Sequence, residues 1–383
     1  MTAVEARFIE PLDVMILRGN KLFGEPGSYG EALIPPWPSV IAGAIRSRML
    51  VDDHVDMAAF AQGHVDHPSL GSPTNPGSFT LCGFYLARRL ADGRTELLVA
   101  PPADIAIVED EAGRPRVQRA QPRALATGLS SSAPLPRHPV LAETQRAKPA
   151  GGYWLSEPGW KRYLQGGVPT AQELVKSSEL WRIDERVGVG LSSEHRRAED
   201  GQLFSLQAIA LRPGIGFLAT ISGAMPPQKG LLRLGGDGRG AAIRVITHTH
   251  PQADFAAICK AGCCRMIVTT PGLFAQGWLP HGIRREGDDY RFDLEGVRGR
   301  LVCAALPRSE IISGWDLASK SPSKGAPKPA HRAAPTGSVY WLEDLEATPQ
   351  ALEKLVKRGL WSDTCENPAR RAEGFNRFAI AVY

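Results

Sequence analysis

The sequence predicts an α+β protein built on antiparallel sheets, and three observations carry that prediction. Short runs rich in apolar and β-branched residues recur between Gly and Pro turns, the pattern of strands. Helical spacing of apolar residues occurs in a few scattered places, without the regular alternation that a doubly wound parallel sheet requires. The chain has 383 residues, 43% of them hydrophobic, so it can bury a sizeable core and by length suggests about two domains.

Ala6 to Leu17 opens the chain as a strand, interrupted by Glu10-Pro11 and Asp13, so a bulge or kink falls near the proline. A Pro-Trp-Pro turn follows. Ser39 is then placed to cap a helix in VIAGAIRSRML, where Val40, Ile41, Ala44 and Ile45 share one face. The stretch from His64 to Ser78 is loop chemistry, after which FTLCGFYLARRL and TELLVAPPADIAIV read as strands turning at Gly93.

Ser, Pro and Gly accumulate again from Thr127 to Gly152. Thr170 and Glu173 then form a capping-box pattern that predicts a helix in AQELVKSSELW. A boundary placed here divides the chain into 1–175 and 176–383. In the second region QLFSLQAIAL and GIGFLATISGA predict a hairpin about Arg212-Pro213-Gly214, followed by a glycine-rich loop from Leu234 to Gly240 and a strand AAIRVIT. Near the end Thr348 caps a helix with Pro349 first, Leu352, Leu355 and Val356 on one face, Lys357 and Arg358 in the last turn and Gly359 beyond.

No run approaches the roughly 18 apolar residues of a membrane span. The first residues also lack the order of a signal peptide, so a soluble cytoplasmic protein without membrane contact is expected. Six cysteines, Cys82, Cys259, Cys263, Cys264, Cys303 and Cys365, show no framework spacing and read as reduced thiols. A net charge of +5 is compatible with an acidic partner such as RNA. The positive charge is uneven: Ala112 to Ala142 carries Arg114, Arg116, Arg119, Arg123 and Arg137 without an acid, and Ala318 to Ala333 carries Lys320, Lys324, Lys328 and Arg332 likewise. Both read as polar loops, either solvated or touching RNA.

Several residues are candidates for an anionic ligand. In the glycine loop, Gly235, Gly236 and Gly238 allow backbone N–H groups to approach phosphate oxygens, and Arg239 adds a charge-assisted donor; a plain turn or close sheet packing explains the same glycines. Arg18, Asn20 and Lys21 follow the first strand, and Arg46 lies off the apolar stripe of its helix. All four can face one ligand or simply be solvated. His195, Arg196 and Arg197 sit in the polar segment SSEHRR, open to RNA or to a partner protein. Trp37, fixed between prolines, can stack a base or cover the core.

These residues carry a family resemblance. Phe8, Pro11-Leu12, Arg18 and Phe23, then Pro36-Trp37-Pro38-Ser39 and Gly43-Ala44-Ile45-Arg46, resemble the opening of the RAMP proteins of CRISPR systems. Arg186 to Leu191, Asp200 to Phe204, Leu234 to Arg239 and Pro335 to Tyr340 resemble, in that order, the tag-binding subunit of the type III-B (Cmr) complex, so the resemblance covers nearly the whole chain. It implies two ferredoxin-like (RRM-like) domains with long inserted loops, non-catalytic and without cofactor or metal. Their loops grip the 5′ tag of the guide RNA (crRNA), and the partners are the large polymerase-like subunit and a neighbouring RAMP backbone subunit. Where the family tends to have Gly-aromatic-Gly, this chain has Gly374-Phe375-Asn376, and no role is carried onto Asn376.

Two other chemistries are open to the residues. Relatives of the implied fold process guide RNA with a histidine acid or base, for which His195, His248 and His250 are the candidates. His248 and His250 with Cys259, Cys263 and Cys264 have zinc-ligand types but poor spacing. A subunit held by protein contacts alone is the third reading.

Overall fold

The computed structural model describes residues 4–17, 29–30, 32–142, 148–192, 194–195, 197–316, 326–362, 364–365 and 367–383. The predicted site residues Arg18, Asn20, Lys21 and Arg196 lie outside these, as does the first half of the second basic segment, with Lys320 and Lys324.

Two six-stranded antiparallel sheets organise the chain. In the first, Glu5–Pro11 is flanked by Gly240–Ile246 and Ile215–Ser222; Thr80–Arg89 and Thr95–Leu98 continue one side, and Lys229–Arg233 closes the other. Ile215–Ser222 is buried at every position except its last, which obliges it to be an interior strand covered on both faces. In the second sheet Cys264–Val268 lies between Phe378–Val382 and Val339–Glu346, followed by Val297–Ala305, Asp289–Leu294 and Ile283–Glu286.

Alternation of side chains sorts each strand between two cores. Ile9, Phe84, Leu86 and Phe217 pack with Ile41, Ile45 and Met49 of the helix Pro38–Asp52 on the outer face of the first sheet. Met266, Leu342 and Ile380 pack with Leu352 and Leu355 of the helix Pro349–Arg358 on the outer face of the second. Phe8, Ala87 and Leu218 meet Ile267, Val302, Val339 and Trp341 where the inner faces join, with Trp160 and Tyr163 of the helix Glu157–Leu164 in the same cluster. The layers therefore run helix, sheet, sheet, helix.

The helix Pro349–Arg358 forms as its sequence predicts: Thr348 accepts the Ala351 N–H at 3.1 Å, Pro349 is the first helical residue, and Gly359 leaves at φ +81°. We expect Thr348→Ala to cost about 1 kcal/mol, read as a shift of the denaturant midpoint at unchanged slope.

Four expectations are corrected. Ser39 does not cap its helix; Pro38 is already helical, since its ring presets φ and its missing N–H needs no acceptor, so Trp37 holds the cap position. The helix expected over residues 171–181 is helical only at Ser177–Leu180 and begins instead as a 3-10 turn, Ala171–Glu173, at which Thr170 N–H does bond the Glu173 carboxylate at 2.8 Å. Beyond it Leu174–Lys176 pairs with Tyr153–Leu155 and buries Val175, so sheet pairing overrides helix propensity. The two strands about Arg212-Pro213-Gly214 do not pair with each other: Ala198–Leu211 pairs with Trp181–Leu191, while Ile215–Ser222 enters the first sheet.

The fourth concerns where the chain divides. Ile215–Ser222, Lys229–Arg233 and Gly240–Ile246 complete the first sheet, so the sheets change over between Ile246 and Cys264 rather than at 175/176. The loop-rich composition before residue 175 belongs to an excursion, residues 99–214, out of the first sheet.

Candidate nucleic-acid interface

At one end of the first sheet three segments converge. Leu12 donates its N–H to Gly240 O at 3.1 Å, Gly236 donates to Ile16 O at 2.8 Å, and Met15 and Ile209 exchange two bonds of 2.8 Å. The exit of the first strand thus holds both the glycine loop and the base of the long hairpin. Gly235 and Gly238 have φ +77° and +59°, with Asp237 between them at φ +56°. A Cβ on Gly235 would lie 2.8 Å from Ile16 O, so glycine is required there by conformation and by close approach alike.

The loop is therefore a packed turn first. The Gly236 N–H that could have met a phosphate is used on Ile16. What it presents outward is Arg239, 27% exposed, whose Nη1 donates to Asp13 Oδ2 at 2.8 Å and whose buried Nε has no acceptor among the described residues. Asp13 was not singled out from the sequence; its signal was an acid just past Pro11, at the point where the strand ends.

The hairpin of Trp181–Leu191 and Ala198–Leu211 joins two of the resemblance motifs, with Val187 opposite Ser205 and Val189 opposite Leu203. Gly188 is explained by packing: a Cβ there would lie 2.3 Å from the Phe204 ring. Tyr29–Gly30 pair with Ser205–Leu206, and Ala32 N–H donates to Gln207 Oε1 at 3.2 Å. The described residues on both sides of 18–28, Leu17 and Tyr29, thus stand at this same end of the sheet. Arg186 pairs with Asp184 at 2.9 Å. At the hairpin tip His195 and Arg197 are exposed, the His195 N–H donating to Ser192 Oγ. Ile183, Val187, Val189, Leu191 and Leu203 form an exposed apolar row on one face of the ribbon.

Trp37 and Arg46 face elsewhere. Trp37 is half-buried against Ile312, Ala333, Trp361 and Phe375, the core-covering outcome. The Glu310 carboxyl is raised by burial, with the Trp37 indole drawing it back down. Arg46 is half-buried beside the C-terminal segment; burial lowers its pKa and the Glu373 carboxylate opposes that. In the basic stretch 112–142, Arg114 pairs with Asp110, Arg119 donates to Gly166 O, and Arg137 pairs with Glu343. These arginines hold short strands and loops in place rather than forming a free cationic loop.

His248 and His250 lie edge to face, 4.9 Å apart, in the link between the sheets. His250 packs on Tyr85, and burial, with His248 beside it, lowers its pKa to about 4. His195 is on the hairpin tip, so the three histidines do not assemble. Among the described residues no three His, Cys, Asp or Glu side chains are grouped to hold a metal. Cys264 is buried within its strand, its thiol pushed up to about 12.

Pro335 to Tyr340 is a buried junction. Gly337, at φ +89°, donates to Val268 O and accepts from Ala103 N–H, and Ser338 is fully buried. The departure at Asn376 also has a structural answer. Asn376 adopts φ +59°, which asparagine tolerates better than other non-glycine residues. Its carboxamide accepts the Leu273 N–H at 2.6 Å and donates to Leu360 O at 3.1 Å. The tight approach survives at Gly374, where a Cβ would lie 2.9 Å from Leu81 O.

A family model described as CRISPR-associated protein (Cas_Cmr3) matches residues 7–382. No curated protein matches the chain. Among solved structures it is similar to a chain of the Type III-B Cmr-beta bound to cognate target RNA and AMPPnP, with 12% identity and TM-score 0.42 over 91% of this chain and 88% of that one. It is also similar to a chain of the Type III-B Cmr-beta bound to cognate target RNA, with 13% identity and TM-score 0.45 over 88% of this chain and 86% of that one.

Proposed function

Because the chain belongs to the Cas_Cmr3 family of CRISPR-associated proteins, we propose that it is a non-catalytic subunit of a type III-B effector complex that holds the 5′ tag of the guide RNA. The RNA runs over the end of the first sheet where the glycine loop, the exit of the first strand and the hairpin meet. Arg239 supplies a fixed cation there; His195 and Arg197 of the hairpin tip, and Arg18, Asn20, Lys21 and Arg196, which lie outside the described residues, are the other RNA-binding candidates. The large polymerase-like subunit and a neighbouring backbone subunit are its protein partners.

The observation that carries this reading is that backbone bonds tie the exit of the first strand, residues 12–16, both to the glycine loop and to the base of the hairpin whose two strands carry the resemblance segments 186–191 and 200–204. An exposed apolar row on the hairpin supports a life inside an assembly, since lone soluble chains rarely leave such rows uncovered. Strand order supports the ferredoxin-like part of the proposal. In each half four strands taken in chain order lie 4-1-3-2 across the sheet: Glu5–Pro11, Thr80–Arg89, Ile215–Ser222 and Gly240–Ile246 in one, Cys264–Val268, Val297–Ala305, Val339–Glu346 and Phe378–Val382 in the other. The first half carries its helix after strand one and the second after strand three.

The test is binding of a labelled guide RNA with intact or scrambled 5′ tag to the full chain, alone and with the large subunit, on gels that also reveal cleavage. We expect tag-dependent, salt-sensitive binding without cleavage. Arg239→Ala should weaken it and flatten the salt dependence by about 0.7 in log–log slope, one single-strand phosphate contact. Equal binding of both RNAs would overturn tag recognition, and shortened RNA would overturn the non-catalytic assignment.

A further inference from the structure

The start of Thr80–Arg89 and the end of Ile215–Ser222 face the C-terminal end of Pro349–Arg358 and the short helix Pro368–Ala372 across a cavity of about 440 Å³. Its described lining includes Lys357, Arg358, Arg371, Arg377 and the hydroxyl residues Thr80 and Ser222, and no carboxylate. Lys357 is matched by Glu353 and Arg358 by Glu295. Among the described residues Arg377 has no such match: it is 4% exposed, its Nη1 donates to Lys357 O at 2.8 Å, and its buried Nε finds no acceptor there. Burial lowers its pKa and Arg371 lowers it further, while the groups drawing it up are the Cys82 thiol and the Tyr85 phenol rather than a carboxylate. Arg371 is half-buried and makes no ion pair among the described residues.

A guanidinium taken out of water without an anion is a costly arrangement, and a second one beside it makes it costlier. An open cavity walled by both and by two hydroxyls has the donors to surround a tetrahedral oxyanion, which guanidinium forks bind through paired N–H groups. We infer that this cavity is a phosphate site, separate from the glycine-loop end of the first sheet, and that in the assembled complex its occupant is a phosphate of the RNA chain. The source of the phosphate rests on the RNA-binding reading; the phosphate chemistry rests on the cavity itself.

The test uses the full chain and Arg371→Gln, chosen because Arg377 also secures the fold through its bond to Lys357 O. Lys260→Gln, an exposed lysine on the helix Phe255–Ala261, serves as the charge control. Thermal melts compare inorganic phosphate, poly-glutamate and chloride at matched ionic strength, and fluorescence anisotropy follows a short guide RNA. We expect phosphate to raise the melting temperature of the native chain and of Lys260→Gln but not of Arg371→Gln. RNA binding should weaken about tenfold in Arg371→Gln alone, the scale of one charge-assisted contact. Identical melts and identical RNA affinity for native and Arg371→Gln would overturn the site while leaving RNA binding elsewhere intact. A phosphate response with no RNA binding by any variant would overturn RNA as the source. A response to poly-glutamate and not to phosphate would overturn the phosphate chemistry in favour of an acidic protein segment.

Discussion

Replacing Asp104 by alanine lowers the stability of the chain by about 3–5 kcal/mol, the scale of breaking one side of a buried ion pair. Asp104 leaves the first sheet on the excursion, and its carboxylate accepts from Arg265 Nη1 and from the Tyr163 hydroxyl, both at 2.7 Å. Both charged side chains are at most 1% exposed. Arg265 comes from the strand Cys264–Val268 of the second sheet, lies 4.2 Å over the Tyr163 ring and donates to the Tyr163 and Val382 carbonyls. Burial, with the Asp104 charge beside it, holds the Tyr163 phenol well above its ordinary pKa, so it stays a donor. The triad therefore fastens the excursion to the opposite sheet, and Asp104→Ala strands a guanidinium in the core. The double change Asp104→Leu with Arg265→Met removes both charges and should cost far less than Asp104→Ala. Urea unfolding of the two variants decides it. A loss under about 1 kcal/mol for Asp104→Ala would mean that water reaches the site and that the pair does not fasten the halves.

The second large effect is on pH. His250 is packed against Tyr85 and His248, with Nε2 3.4 Å from Thr220 Oγ1, and burial lowers its pKa from 6.5 to about 4. A histidine with a depressed folded-state pKa contributes stability that is fully present above 6.5 and is lost as pH falls towards 4, because the unfolded chain then binds the proton first. The difference corresponds to about 3 kcal/mol. Since the buried Nδ1 has no hydrogen-bond partner among the described residues, His250→Phe removes little at neutral pH and should flatten the decline between pH 6.5 and 4. Parallel stability curves for native and His250→Phe across that range would show that another group carries the acid sensitivity.

How far each feature could be read beforehand follows from how local its cause is. The helix Pro349–Arg358 was legible to its ends, because cap, proline, apolar face and terminal glycine all lie within a dozen residues. The strands Thr80–Arg89 and Gly240–Ile246 were legible from β-branched and apolar content. The helix expected after Thr170 failed because Val175 buries in a strand pair with Trp154, a partner 21 positions earlier. The hairpin about Arg212-Pro213-Gly214 failed because a turn sequence reports a change of direction, not which strand lies alongside.

The candidate interface divides the same way. Arg239 and its glycines stood out by composition, but Asp13, which aims Arg239, is 226 positions away in sequence. Trp37 and Arg46 looked available because proline flanks and helix spacing carry no information about the C-terminal segment that covers them. Arg377 and Arg371 drew no notice, since nothing in the residues around them shows that one would be buried without an acid.

By itself the sequence determined the antiparallel α+β class, the placing of the well-capped helix and of several strands of the first sheet, and the segments that mark the CRISPR-associated family. Those features are written in neighbouring residues, where propensity, capping and alternation act. The tertiary structure alone decided that strands on both sides of residue 175 share one sheet, that Asp104 and Arg265 fasten the two halves, and that a cationic cavity lies between them. Each of these depends on pairing or charge burial between residues more than a hundred positions apart, and that energy exists only once the sheets have closed on each other.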